Sequence, residues 1–311
     1  MKVWVRPLRY HFRAVDPILW TKSGPANVLR GALGMRLRER SGCDPRCSGP
    51  ACARPDAAVC AYGRIFAPRG TNVPSGFADM PRPFVIRPGF LEERTEPGGE
   101  FQFDLHVFDR DREIAQTIGD CLTELSERGL GPSRGRAVLE RVEVLALDGG
   151  VAERHGPLPD WEQMGPPGVL STEAVEHAPS RLRVRFATPT ELRADGRVSR
   201  EAPDFAVLVA RVRDRFSGLA LGYGEPAEGF DYKGLVERAG AVHTVESRVE
   251  YHNAGRFSTR SRRYETLGGF TGCAVYEGPV GEALGLLRSA YWTGVGRQTV
   301  WGHGALMVEP A

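Results

Sequence analysis

Arginine dominates the side chains of this 311-residue chain that could do chemistry. Of its 41 basic residues, 38 are Arg and only 3 are Lys. A GC-rich genome favours Arg codons, so where the arginines cluster says more than their number. The densest cluster is Arg256-Phe257-Ser258-Thr259-Arg260-Ser261-Arg262-Arg263-Tyr264, which holds no acid. Arg256, Arg260, Arg262 and Arg263 interleaved with aromatics have the composition that neutralises phosphate and stacks on bases; a solvated surface hairpin is the plainer alternative. A second group is Arg181, Arg183 and Arg185, which alternate with Leu182, Val184 and Phe186. On a strand that spacing puts three guanidinium groups on one face and three apolar side chains on the other. Three like charges are easier to tolerate with an anion bound, although Glu246 and Glu250 could also neutralise them across a sheet.

A glycine-rich stretch, Gly294-Val295-Gly296-Arg297-Gln298-Thr299, lets backbone approach a ligand closely. Successive N–H groups there could line an anion nest, with Arg297 adding a fork for phosphate; a tight helix-to-strand turn with no ligand fits the same residues. Four of the six cysteines, Cys43, Cys47, Cys52 and Cys60, fall in one Pro- and Gly-rich stretch. In a reducing compartment disulfides are disfavoured, and four thiolates could hold a structural zinc ion. Their spacing is looser than the paired Cys-x2-Cys of a strong zinc signature. Cys121 and Cys273 read as core. The seven histidines are scattered, and each is more readily structural than catalytic. Catalytic interest by position falls on His11 at the end of the first strand, Lys22 at the entry to the first helix, and His252 beside the arginine cluster. Lys22 would need a depressed pKa to act as a base, but could serve as an acid or as an electrostatic stabiliser.

The elements that must position these residues follow from periodicity. A strand is expected at Lys2–Arg13 and a helix at Pro25–Arg40, closed by Ser41-Gly42. Residues 41–80 read as an irregular insertion. Strands follow at Pro83–Arg87 and Glu100–Asp109; in the latter Phe101, Phe103, Leu105 and Val107 alternate with polar residues. A helix at Arg112–Arg128 ends on Gly129, a left-handed cap, and a strand follows at Arg136–Leu147. The order is βαββαβ. Residues 175–311 repeat it, with strands at Arg181–Phe186, Val242–Tyr251, Phe270–Glu277 and Thr299–Val308, and helices at Asp204–Gly218 and Val280–Tyr291. Each half places Gly-x-Gly after its second helix, at Gly131 and Gly296, as an internal duplication would. The expected organisation is α+β: two tandem ferredoxin-like domains, residues 1–150 and 175–311, joined by a linker at 151–174.

Five stretches in a fixed order carry a family resemblance: Leu29 to Gly34 (LRGALG), Cys60 to Phe66 (CAYGRIF), Gly129 to Leu139 (GLGPSRGRAVL), Gly268 to Gly272 (GGFTG) and Thr293 to Gly304 (TGVGRQTVWGHG). On them the chain resembles the CRISPR-associated RAMP endoribonucleases that process precursor CRISPR RNA, in the subgroup with a Cys-rich insertion after the first helix. The resemblance implies tandem ferredoxin-like domains, a glycine-rich loop before the last strand and a CRISPR repeat hairpin as RNA substrate. It implies cleavage without a catalytic cofactor: the ribose 2′-hydroxyl attacks, leaving a 2′,3′-cyclic phosphate, and the protein stays on the guide RNA, with other Cas proteins as partners. It also implies a histidine in or just before the first helix, and Pro25–Arg40 contains none. The alternative is a non-catalytic RAMP subunit that binds or caps guide RNA in an effector complex.

Composition excludes other classes. The net charge is +2, the chain is 41% hydrophobic, and no apolar run approaches the roughly 20 residues of a membrane span. The first residues do not read as a signal peptide, so a cytoplasmic protein is expected. There is no Walker pattern and no His-Glu-x-x-His, and the acids are dispersed among arginines rather than clustered for two-metal chemistry.

Overall fold

A computed structural model describes the chain except residues 22–23, 44–59, 69–76, 78, 90–92, 195, 254, 259–262 and 267. For residues 126–127, 194, 256–258 and 263–266 it describes the backbone alone. The chain divides into two compact units, residues 4–169 and residues 170–311, the latter joined by residues 1–3.

The first unit is built on strand β1 (Lys2–Ala14), helix α1 (Pro25–Arg40), β2 (Phe84–Arg87), β3 (Glu100–Val107), α2 (Glu113–Arg128), β4 (Ala137–Leu145) and β5 (Val151–His155). Its sheet runs β2-β3-β1-β4-β5 with antiparallel neighbours. The first four strands have the ferredoxin-like order, and β5 adds an edge strand where a linker was expected. Pro25 at the start of α1 supplies a backbone already set for a helix and has no N–H to leave unsatisfied. Leu8, Tyr10 and Phe12 of β1 are buried. Tyr10 and Phe12 stack with Phe101 and Phe103 of β3. A buried ring of this kind contributes about 1.5–3 kcal/mol through area removed from water. Arg9, His11 and Arg13 alternate with these residues and line the opposite face, because successive strand side chains point to opposite sides. Gly129 has a positive φ of 98° but an extended ψ of 145°, so it ends α2 without the expected left-handed cap.

The second unit contains β6 (Arg181–Thr190), α3 (Phe205–Tyr223), α4 (Tyr232–Ala239), β7 (His243–His252), β8 (Gly255–Ser258), β9 (Arg263–Thr266), β10 (Gly269–Glu277), α5 (Gly281–Thr293) and β11 (Leu306–Pro310). Its four-stranded sheet runs β7-β10-β6-β11, again all antiparallel and ferredoxin-like. Phe205, Leu208, Val212, Phe216 and Leu219 of α3 and Leu284 and Leu287 of α5 are buried in its core. The Tyr276 hydroxyl donates to the Pro203 carbonyl at 2.8 Å, which satisfies it inside that core.

Two expectations need correction here. The last strand does not start at Thr299: residues Thr299–Trp301 form a 3-10 turn, and pairing begins only at Leu306. Gly302 and Gly304, both at positive φ, lie between the two and redirect the chain. Helix α4, eight residues long, was not anticipated; the Asp231 side chain caps it by accepting from the Gly234 N–H at 2.8 Å. Among the described residues, no helix is long and apolar enough to cross a membrane.

Candidate functional site

In the first unit, His11 sits on the central strand β1, opposite Gln102 of β3 and Arg141 of β4. The β1–β4 register slips between His11 and Phe12. Arg9, His11, Arg141 and Glu143 share one face. His11 Nε2 lies 2.9 Å from a Glu143 carboxylate oxygen, and Nδ1 lies 3.0 Å from an Arg141 guanidinium nitrogen. Arg141 can only donate, so Nδ1 accepts and the proton of the neutral ring is assigned to Nε2, which donates to Glu143.

Glu143 is itself buried, and its other oxygen accepts from Arg154 Nε at 3.2 Å and faces Arg141 Nε at 3.5 Å. Burial pushes its pKa up, but the hydrogen bonds from His11 and Arg154 and the nearby positive charge outweigh burial and hold it below the ordinary value. Arg141 and Arg154 remain 43% and 71% exposed and can turn toward an anion. Arg9 is held on Asp104, and Arg13 between Glu100 and Glu140. The cluster is therefore an imidazole oriented by a carboxylate, with two guanidinium groups at its mouth. As it stands, both ring nitrogens of His11 have partners. Proton transfer at Nδ1 requires Arg141 to leave it.

In the second unit, β6 presents Arg181, Arg183 and Arg185 outward while Leu182, Val184 and Phe186 are buried, as the alternation required. Their neutralisers are not Glu246 and Glu250. Arg181 faces Glu277 at 3.3 Å and Arg183 faces Glu309 at 3.4 Å, while Glu246 pairs with Arg248. Register decides this: Glu277 lies opposite Arg181 on β10, and Glu309 opposite Arg183 on β11. Arg185 lies between Cys273 and Met307, is exposed, and has no acidic partner among the described residues. Cys273 is thus on the arginine-bearing face, not in the core as expected; Ala274, opposite Val184, takes the inward position.

The glycine-rich loop is more fully satisfied than an open anion nest would be. The N–H groups of Gly294, Val295 and Arg297 donate to the carbonyls of Ala290, Gly304 and Glu191. Gly296 has φ +74°, and a Cβ there would run into the Glu191 carbonyl, so glycine is required by backbone packing. Arg297 Nη1 binds the Glu191 carboxylate at 2.9 Å, with Arg297 58% exposed and Glu191 nearly buried. The guanidinium is anchored at one side and open to solvent at the other.

The remaining expected residues divide between described and undescribed positions. His252 ends β7, exposed, with Nε2 2.7 Å from the Thr271 hydroxyl. Arg256 and Arg263 lie on β8 and β9, which pair as a hairpin. Arg260 and Arg262 fall outside the described residues, as do Lys22, Cys47 and Cys52. Cys43 and Cys60 are brought together, their sulfurs 3.5 Å apart, and Cys121 is buried. Sequence reasoning missed Glu143 and Glu191. Each carries a polar network, yet each stands among several glutamates, and only strand register and loop closure distinguish them.

Comparison with known proteins extends the reading. Residues 184–306, which contain Arg185, His252, the β8–β9 hairpin and the glycine-rich loop, match the family model described as CRISPR-associated endoribonuclease Cas6. Residues 4–157 match a second model, AF_1859_N, described as an N-terminal domain. No curated protein matches the sequence. Among solved structures, a Cas6 product complex is 19% identical with a TM-score of 0.60, covering 98% of this chain and 99% of that one. Thermus thermophilus Cas6 is 18% identical with a TM-score of 0.55, covering 99% of both chains. A partial Cas6-RT-Cas1–Cas2 complex is 12% identical with a TM-score of 0.58, covering 99% of this chain and 46% of that one. The structural matches show the tandem ferredoxin-like fold, and over residues 184–306 the chain is similar in sequence to the CRISPR-associated endoribonuclease Cas6 family.

Proposed function

We propose that this protein binds the repeat hairpin of precursor CRISPR RNA, cleaves it through the ribose 2′-hydroxyl and remains on the guide RNA. The observation that carries the reading is the Cas6 match across residues 184–306, the stretch that holds the exposed Arg185 and the β8–β9 hairpin. Arg185, Arg297 and the hairpin arginines Arg256, Arg260, Arg262 and Arg263 would take phosphates; Phe257 and Tyr264 would stack on bases. Retained product is in keeping with the Cas6 neighbour whose structure is a product complex. Cas proteins are the partners this reading expects, as in the Cas6-RT-Cas1–Cas2 neighbour.

His11 is the proton-transfer group this reading favours. Glu143 fixes its tautomer and stabilises the imidazolium that forms when it accepts a proton. A phosphate at the mouth of the cluster would draw Arg141 from Nδ1, freeing that nitrogen to take the 2′-hydroxyl proton while Arg141 and Arg154 steady the phosphorane; the P–O5′ bond then breaks and the leaving 5′-oxygen takes a proton from the imidazolium or from water. A second reading, guide-RNA binding without cleavage, is favoured by two observations: both His11 nitrogens have protein partners, and α1 has no histidine of its own.

One experiment separates the two. Labelled repeat RNA is incubated with the protein in EDTA, beside RNA carrying a 2′-deoxyribose at the scissile nucleotide. Cleavage in EDTA that disappears with the 2′-deoxy substrate, and falls at least about 100-fold in His11→Ala, supports the nuclease and its base. Tight binding with no cleavage leaves the scaffold, and full activity in His11→Ala moves the chemistry to Lys22 or His252.

A further inference from the structure

Strand β7 is the edge of its sheet. It pairs with β10 on one side, and among the described residues no backbone hydrogen bond reaches its other side. An edge of ten residues with N–H and C=O groups facing outward is a template for a further strand. The strand is also open on both faces: eight of its ten residues are exposed, and Val249 and Tyr251 are half-buried. Register assigns the residues of each face. Ser247, Val249 and Tyr251 lie opposite Ala274, Gly272 and Phe270, on the side where Val184 and Phe186 are buried. Val245, two residues before Ser247, is 45% exposed. Glu246, Arg248 and Glu250 lie on the other side, with Arg183 and Arg185.

Charges on an edge strand ordinarily discourage pairing with another chain. Here they read as complementary from both ends. About Ser247 the sequence runs Val245-Glu246-Ser247-Arg248-Val249. Laid antiparallel on a second copy with Ser247 facing Ser247, Glu246 faces the partner's Arg248, Arg248 faces the partner's Glu246, and each Val245 faces a Val249. Opposite charges and β-branched side chains directly across two strands stabilise the pair, and like charges there destabilise it. A two-fold axis at Glu246 or at Arg248 would set like charges against each other. An axis at Val249 keeps Arg248 against Glu250 but leaves Val245 facing Asn253. Within one chain Glu246 holds Arg248 at 2.9 Å, with the side chains 46% and 80% exposed, so both heads stand at the surface where a second copy can share them.

We infer that β7 pairs with β7 of a second copy of this chain, antiparallel about a two-fold axis at Ser247. The contact is isologous and closes at two chains. It joins two four-stranded sheets into one continuous sheet. Facing residues of an antiparallel pair point to the same side, so Arg181, Arg183 and Arg185 of both copies share one face of that sheet.

The test is sedimentation velocity of the RNA-free, full-length protein across a range of concentrations. Wild type is compared with Arg248→Glu, Glu246→Arg and the double variant that carries both, each checked for folding by circular dichroism. Expected is a reversible wild-type dimer and dimerisation at least about tenfold weaker in each single variant, where like charges meet twice. The double variant restores the pairs in reverse and should recover the dimer. Because an edge variant could misfold, Ser247→Cys is also oxidised beside wild type. Facing Cα atoms about 4.5–5.5 Å apart are within disulfide reach, so a covalent dimer specific to Ser247→Cys is expected. The inference is overturned by a wild type that is monomeric at every concentration, by folded single variants that dimerise as wild type does, by a folded double variant that does not recover, or by absence of the Ser247→Cys cross-link.

Discussion

Replacing Glu143 by glutamine keeps the size of the side chain and removes its charge. In the native protein this buried carboxylate accepts from His11 at 2.9 Å and from Arg154 at 3.2 Å. A hydrogen bond to a charged group is worth about 1.5–3 kcal/mol and a neutral one about 0.5–1.5. The His11 bond thus loses about 1 kcal/mol. Arg154 is largely exposed and rehydrates, so its share is about 0.2–1 kcal/mol. The expected deficit for Glu143→Gln is about 1–2 kcal/mol at pH 7. At about 2–4 °C per kcal/mol for a unit of this size, Tm falls by about 2–8 °C. The sign with pH follows from the carboxylate's depressed pKa in the folded protein. A group of this kind contributes stability that is complete above its unfolded pKa and is lost as the pH falls through its folded pKa. The gap between wild type and Glu143→Gln is therefore full at neutral pH and closes in acid, where both side chains are neutral. Thermal unfolding followed by circular dichroism from pH 7 to below pH 4 reads both quantities. Equal stability at pH 7, or a deficit that persists unchanged in acid, would refute the reasoning.

Three further substitutions probe other parts of the structure. Arg185→Glu, at an exposed position with no acidic partner among the described residues, should weaken binding of the repeat hairpin and lower the salt slope by about 1, with stability within about 0.5 kcal/mol of wild type; unchanged anisotropy titrations across salt concentrations would remove this residue from the RNA face. Gly296→Ala should lose about 2–4 kcal/mol in urea unfolding, from its positive φ and the collision with the Glu191 carbonyl, and a neutral result would mean that the loop is built differently. The Tyr10 hydroxyl is buried with no hydrogen-bond partner among the described residues, so Tyr10→Phe should leave stability unchanged or raise it by about 1 kcal/mol; a loss above about 1 kcal/mol would reveal a partner.

Much of the fold was legible because its signals are local. Pro25 and the spacing of Leu29, Leu33 and Leu37 mark α1 at the limits the structure gives it, and the alternation in Arg181–Phe186 fixes which face carries the arginines. Where reading failed, the deciding interaction was distant in sequence. Val151–His155 looked like linker because its pairing with β4 depends on a neighbouring strand's register. Thr299–Trp301 looked like strand because it is β-branched and aromatic, while Gly302 and Gly304 divert the chain first. Cys273 read as core because Ala274, Val275 and Tyr276 beside it are apolar and buried, and only the pairing with Arg185 turns it outward.

The sequence by itself determined the element types, the duplicated βαββαβ order, the arginine-bearing strand and the grouping of four cysteines. These depend on side-chain periodicity and composition over a few residues, which a one-dimensional record preserves. Tertiary structure alone decided which acid meets which base. It placed Glu143 on His11 across 132 residues and Glu191 on Arg297 across 106, and it set Glu277 and Glu309, not Glu246 and Glu250, against the arginines of β6. A chain with 39 acidic and 41 basic residues allows far more pairings than it makes. Coulomb attraction is nearly indifferent among them in water, and strand register and burial make the choice.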